Sequence, residues 1–171
     1  METESKVARL CRLKHEIEER IEDSWLFPEQ GPVRGFLGTG SIMFVGERPS
    51  TGQFPDPKVQ RLYDVLVELG IADSHLTDAI KCRGKVKESY PSDLAIHKRV
   101  FDREIEIVRP RLIIALGNDA YRLILFSLAD NGIPLRGVYH YSYRFGPSPG
   151  EEFKRQVKEA VEGFVGPHDL A

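Results

Sequence analysis

Apolar residues recur along the chain at helical and strand-like spacings in alternation. Val7, Leu10, Cys11, Ile17 and Ile21 fall near one stripe of a helix, with Glu and Arg covering the rest, so the spacing predicts an amphipathic helix over 7–21. The glycines and prolines between Pro28 and Gly40 predict irregular chain, and SIMFV, ended by Gly46, predicts a buried strand. Val59, Leu62, Leu66 and Leu69 repeat at helical spacing until Gly70 stops them, and SHLTDAI then predicts a second strand. Pro91, Ser92 and Asp93 start a helix with Leu94, Phe101, Ile105 and Val108 on one stripe, broken by Pro110, and LIIAL follows as a third strand. Gly117 or Asn118 opens a helix through Leu128, Gly132 and Pro134 mark its exit, and GVYHYSY predicts a fourth strand. In the last helix Ser148 is the expected cap, Pro149 fits the first turn, Glu151 completes an S-x-x-E capping box, and Phe153, Val157, Ala160 and Phe164 make the apolar face.

Strands alternating with helices imply right-handed crossovers. The expected fold class is α/β, a three-layer α/β/α arrangement around a central, mainly parallel, four-stranded sheet. At 171 residues the chain suits one domain over 1–171, with a helix and linker in 1–30 and the core in 31–165. Such sheets bind ligands beyond the carboxyl ends of their strands. There the sequence places Gly46-Glu47-Arg48-Pro49-Ser50, then Asp78, then Gly117-Asn118, then His140 through Phe145, so four polar segments converge on one cleft.

The net charge of −2 supplies no general attraction to a polyanion, so any nucleic-acid contact must be local. Lys81, Arg83, Lys85 and Lys87 form a basic run that reads either as a solvated loop or as part of a basic face. No apolar stretch approaches the roughly 18 residues that span a bilayer, and no leader pattern stands at the N-terminus, so a cytoplasmic location is expected. Two cysteines, Cys11 and Cys82, are too few for a disulfide framework.

Glu47 and His140 facing each other could position a water and support a departing group, which suits hydrolysis. Equally, Glu47 could cap the following turn and His140 could satisfy a backbone carbonyl. GERPSTG lacks the spacing of a dinucleotide or triphosphate loop. Phe54, between Gly52 and Pro55, could stack on a base or anchor its loop. Tyr139, Tyr141, Tyr143, Arg144 and Phe145 surround His140, and such residues either wedge into a duplex or pack along a strand.

Taken in order, these segments resemble the uracil-DNA glycosylase superfamily, most closely its thermophile-type branch, which usually carries an iron–sulfur cluster. IMFVGERP resembles the family's water-positioning motif, Phe54 stands at its base-stacking aromatic, LTDAIKCR resembles its base-recognition strand, EIEIVRPRLIIALG resembles the run into the third strand, and YHYSYRF resembles the histidine motif with its wedge loop. The likeness runs from about Gly31 to Phe164. Three departures stand out: Thr77-Asp78 replaces Thr-Asn, His140-Tyr141-Ser142 replaces His-Pro-Ser, and the four cluster cysteines are not all present.

The resemblance implies hydrolysis of the N-glycosidic bond of uracil or another deaminated base in DNA, with Glu47 and His140 catalytic and Phe54 and Asp78 on the base. It also implies DNA contacts from Ser142, Tyr143, Arg144, Phe145, Lys81, Arg83 and Lys85. A monomer without an organic cofactor is expected. A four-thiolate cluster cannot form from two cysteines. A mixed site from Cys11, His15, Cys82 and His97 is conceivable, but a buried Cys11 and surface histidines are the favoured expectation. The competing readings are a non-catalytic lesion-binding protein on this fold and a small-molecule hydrolase, the latter leaving the wedge segment without a task.

Overall fold

A computed structural model of the chain describes residues 3–50, 53–83, 91–128 and 132–164. Helix α1 (Lys6–Arg20) opens on Ser5, whose side chain accepts the Ala8 N–H. A short 3₁₀ turn (Gly35–Leu37) leads to strand β1 (Ile42–Gly46). Helix α2 (Pro57–Glu68) starts where Asp56 accepts the N–H groups of Lys58 and Val59, at 2.8 and 3.1 Å. Strand β2 (His75–Asp78), helix α3 (Pro91–Val108) and strand β3 (Leu112–Leu116) follow. Helix α4 (Asn118–Leu123) runs into a π-helical stretch (Ile124–Leu128), and strand β4 (Leu135–Val138) and helix α5 (Pro149–Glu162) complete the order.

The sheet order is β2-β1-β3-β4 with every neighbouring pair parallel. Burial on both faces explains why β1 and β3 read as unbroken apolar runs. Ile42, Phe44, Leu112 and Ile114 pack on one side against Leu62 and Leu66 of α2 and Phe153 and Val157 of α5. Met43, Val45, Ile113 and Ala115 pack on the other against Phe101 of α3 and Ala120 of α4. The chain is thus the expected three-layer α/β/α structure. Outside α3, Leu10, Leu13 and Ile17 of α1 cover Ile107 and Val108. Among the described residues no helix is long and apolar enough to cross a membrane.

Four local expectations are corrected. The fourth strand covers Leu135–Val138 rather than 137–143, because the Tyr139 N–H goes to Gln156 Oε1 at 2.7 Å and Tyr143 N–H closes a turn on His140 O at 2.9 Å. The capping box at α5 does not form, since the Ser148 side chain makes no cap bond. Cys11 is exposed, because the buried stripe of α1 runs through Leu10, Leu13 and Ile17. His97 is buried instead of lying on the surface, with its Nδ1 accepting the Lys81 N–H at 3.0 Å.

Candidate active site at the carboxyl ends of the strands

Parallel pairing sets Gly46 beside Asp78 at the ends of β1 and β2, and the ladder continues through Ala79 N–H to Gly46 O and Ile80 N–H to Glu47 O, at 2.8 and 2.9 Å. Glu47 is therefore held one residue past β1, directly over the end of β2. A Cβ at Gly46 would lie 2.3 Å from Asp78 Oδ1, so only glycine lets the carboxyl pass under β1. Asp78 is almost sealed, and its Oδ2 has no hydrogen-bond partner among the described residues. Burial pushes its pKa up to about 7; Lys81 opposes that shift and Glu104 and Glu47 add to it.

Behind Asp78 lies a charged network without solvent contact. Lys81 Nζ pairs with Glu104 Oε2 at 2.7 Å and donates to Thr77 Oγ1 at 2.8 Å and to the Asp78 carbonyl. Glu104 Oε1 meets His75 Nε2 at 3.0 Å, and His75 Nδ1 faces Gly38 O at 3.2 Å. Lys81, Glu104 and His75 are each fully buried. Lys81 was expected to reach DNA phosphates, and that expectation is corrected: its ammonium is inside the protein, held there by Glu104. Arg83 is half-buried, with its backbone N–H on Asp23 O at 3.1 Å. Lys85 and Lys87 lie outside the described residues.

His140 stands two residues beyond β4. Its Nδ1 accepts the Ser142 N–H at 3.1 Å and lies 2.6 Å from Ser142 Oγ. With Nδ1 an acceptor, the neutral ring carries its proton on Nε2. Burial lowers the His140 pKa to about 4, assisted by Lys58 and opposed by the Glu47 carboxylate. Glu47 thus acts electrostatically on both Asp78 and His140. Its carboxylate also accepts from Arg48 Nε at 3.1 Å, so Glu47 is half-buried and ion-paired. Ser142 turns its hydroxyl to His140, and its one proton is not offered to a phosphate in this arrangement. Tyr141 is buried, with its ring 4.0 Å from the His140 ring.

Phe54 is half-buried against Tyr63, ring centroids 5.3 Å apart, and lies 6.5 Å from Trp25. It anchors its loop on this aromatic group, whose Tyr63 hydroxyl is pushed up by burial and by the nearby Asp78 carboxyl. Tyr143 stacks on Tyr139 at 4.2 Å, whereas Arg144 and Phe145 project outward, Phe145 at 75% exposure. An open cavity of about 680 Å³ lies beside His140, bounded by these aromatics and the Gly117–Asn118 turn. Gly117 has φ +95°, which glycine alone adopts readily.

Sequence reasoning missed Arg61, whose Nη1 donates to the carbonyls of Tyr141 and Tyr143, both at 3.0 Å, and so ties α2 to the histidine loop. A lone cation on a helix carries no local signal of so distant a target. Glu104 did leave a signal, because with Phe101 and Val108 it occupies a core position of α3.

The residues do not fit an iron–sulfur cluster. Cys11 is on the exposed face of α1, His15 is exposed and paired with Glu19 at 3.1 Å, and Cys82 Sγ lies 4.0 Å from His97 Nε2. Among the described residues no three His, Cys, Asp or Glu side chains gather as metal ligands. Residues 37–162 match the family model described as Uracil DNA glycosylase superfamily. No curated protein matches the chain.

Proposed function

Because the chain belongs to the uracil DNA glycosylase superfamily, we propose that it is a DNA glycosylase hydrolysing the N-glycosidic bond of uracil or another deaminated base. The observation that carries this reading is the hydrogen bonding of His140: Nδ1 takes the Ser142 N–H, which leaves Nε2–H as a neutral donor within the electrostatic influence of the Glu47 carboxylate. As the bond from C1′ to the base breaks, its electron pair leaves with the base and the sugar becomes cationic. His140 Nε2–H donates to the oxygen on which the base's negative charge collects. Glu47 holds the water that adds to C1′, favours the cationic sugar and receives the water's proton. Phe54 offers its remaining face to the extruded base, and Phe145 with Arg144 fills the vacated space in the duplex.

Asp78 sets the substrate. The edge of uracil shows an N3–H donor beside an O4 acceptor, and an ionised carboxylate satisfies only the donor. Its second oxygen would face O4 with like polarity, costing about 1–3 kcal/mol, or roughly one to two orders of magnitude in rate. A pKa near 7 supplies the remedy, since a protonated Asp78 accepts from N3–H and donates to O4. The reading is a weak uracil glycosylase whose preferred lesion is a different deaminated base.

Release of free base from oligonucleotides bearing uracil, hypoxanthine, xanthine or thymine opposite guanine tests it. Release from at least one, abolished by His140→Ala, is expected. Lesion-specific binding without release from any of them would replace this function with that of a non-catalytic lesion binder.

A further inference from the structure

We propose that Tyr139 and Tyr143 form a second base-binding subsite, which stacks an undamaged base next to the nucleotide presented to His140 and so favours single-stranded DNA. The inference rests on DNA as the ligand and goes beyond the cleavage reaction. The two rings lie 4.2 Å apart at 22°, a near-parallel plate, and Phe145 meets Tyr143 edge-on at 5.6 Å and 65°. Tyr139 is 41% exposed and Phe145 75%, so part of this aromatic group faces water.

The plate is rigid. Gln156 Oε1 holds the Tyr139 N–H at 2.7 Å, the Tyr143 N–H closes on His140 O at 2.9 Å, and Arg61 holds the carbonyls of Tyr141 and Tyr143. Backbone held in this way gives up little freedom when a base stacks on the rings it carries. The plate walls the cavity of about 680 Å³, which has room for a nucleoside and which shares His140 with the candidate active site. Exposed Arg144 lies on the same rim, within reach of a connecting phosphate.

The occupant follows from which bases have a free face. In a duplex both faces of a base are already stacked, whereas every base of a single strand can stack on a protein ring, with little dependence on sequence. The shared histidine makes the plate a neighbour of the reacting nucleotide rather than a remote patch.

The test uses the full chain and undamaged DNA, so cleavage is not measured and the two readings can fail separately. Fluorescence anisotropy compares a labelled oligothymidine strand, the same strand with abasic tetrahydrofuran units replacing its bases, and a duplex of that strand. Wild type is expected to bind the single strand more tightly than the duplex. Tyr139→Leu should weaken single-strand binding about tenfold, with little change for the abasic strand or the duplex. Tyr139→Trp should restore it. Equal single-strand affinity of wild type and Tyr139→Leu, or an equal loss on the abasic strand, would overturn the subsite.

Discussion

Asp78 and His140 are pushed by burial in ways that give one pH window. Uracil excision needs neutral His140, which exists above its pKa of about 4, and protonated Asp78, which exists below about 7. The rate should therefore hold between those values and fall on either side, and Asp78→Asn should remove the alkaline fall, raising uracil excision by about one to two orders of magnitude at pH values where wild-type Asp78 is ionised. A single-turnover pH series checks both. Stability follows with opposite signs. The folded pKa of Asp78 is raised, so its contribution is fully present below the unfolded value and is lost as pH rises through about 7; that of His140 is lowered, so its contribution is present above its unfolded value and is lost as pH falls through about 4. His140→Ala should cut excision about a hundredfold or more with the Glu47–Arg48 pair undisturbed. Glu47, Asp78 and His140 were legible as residues because polar groups at the ends of apolar strands stand out. Lys81 was misread, since a run of cations looks solvated until Glu104, 23 positions on, is seen to neutralise one of them inside the core.

At the level of elements, β1 and β2 meet so closely that Gly46 and Asp78 share one volume. Gly46→Ala would drive a Cβ to 2.3 Å from Oδ1, and should abolish excision and cost about 1–3 kcal/mol. Combining it with Asp78→Ala removes the clash, and urea unfolding should show the double variant more stable than Gly46→Ala alone. The core strands were legible because burial on both faces writes an uninterrupted apolar run into the chain. The end of β4 was not. Alternating aromatics from Tyr139 to Tyr143 have the period of a strand, but Gln156, Arg61 and the His140 ring capture the backbone groups that a strand would pair. Those captors are remote in sequence or are side-chain atoms of the loop itself, and no local pattern announces them. Arg61→Ala should release the loop and lower the single-turnover rate about tenfold or more, with partial rescue by Arg61→Lys.

Over the whole molecule, the Lys81–Glu104 pair couples the end of β2 to α3 with both charges out of water. Lys81→Met alone leaves a carboxylate buried without its cation and should cost about 3–5 kcal/mol, whereas Lys81→Met with Glu104→Leu should recover most of that loss in urea unfolding. The Arg61 clamp has a consequence on the same scale, but for the order of events. A loop already in its working shape has no slow closing step, so its encounter with DNA should be single-exponential, with an observed rate that climbs linearly with protein concentration and does not level off. The deformation then falls to the nucleic acid. Lesions should be ranked by how loosely they sit in the helix, a mispaired base leaving sooner than the same base in a matched pair, because the protein contributes a fixed mould and the DNA alone must bend to meet it.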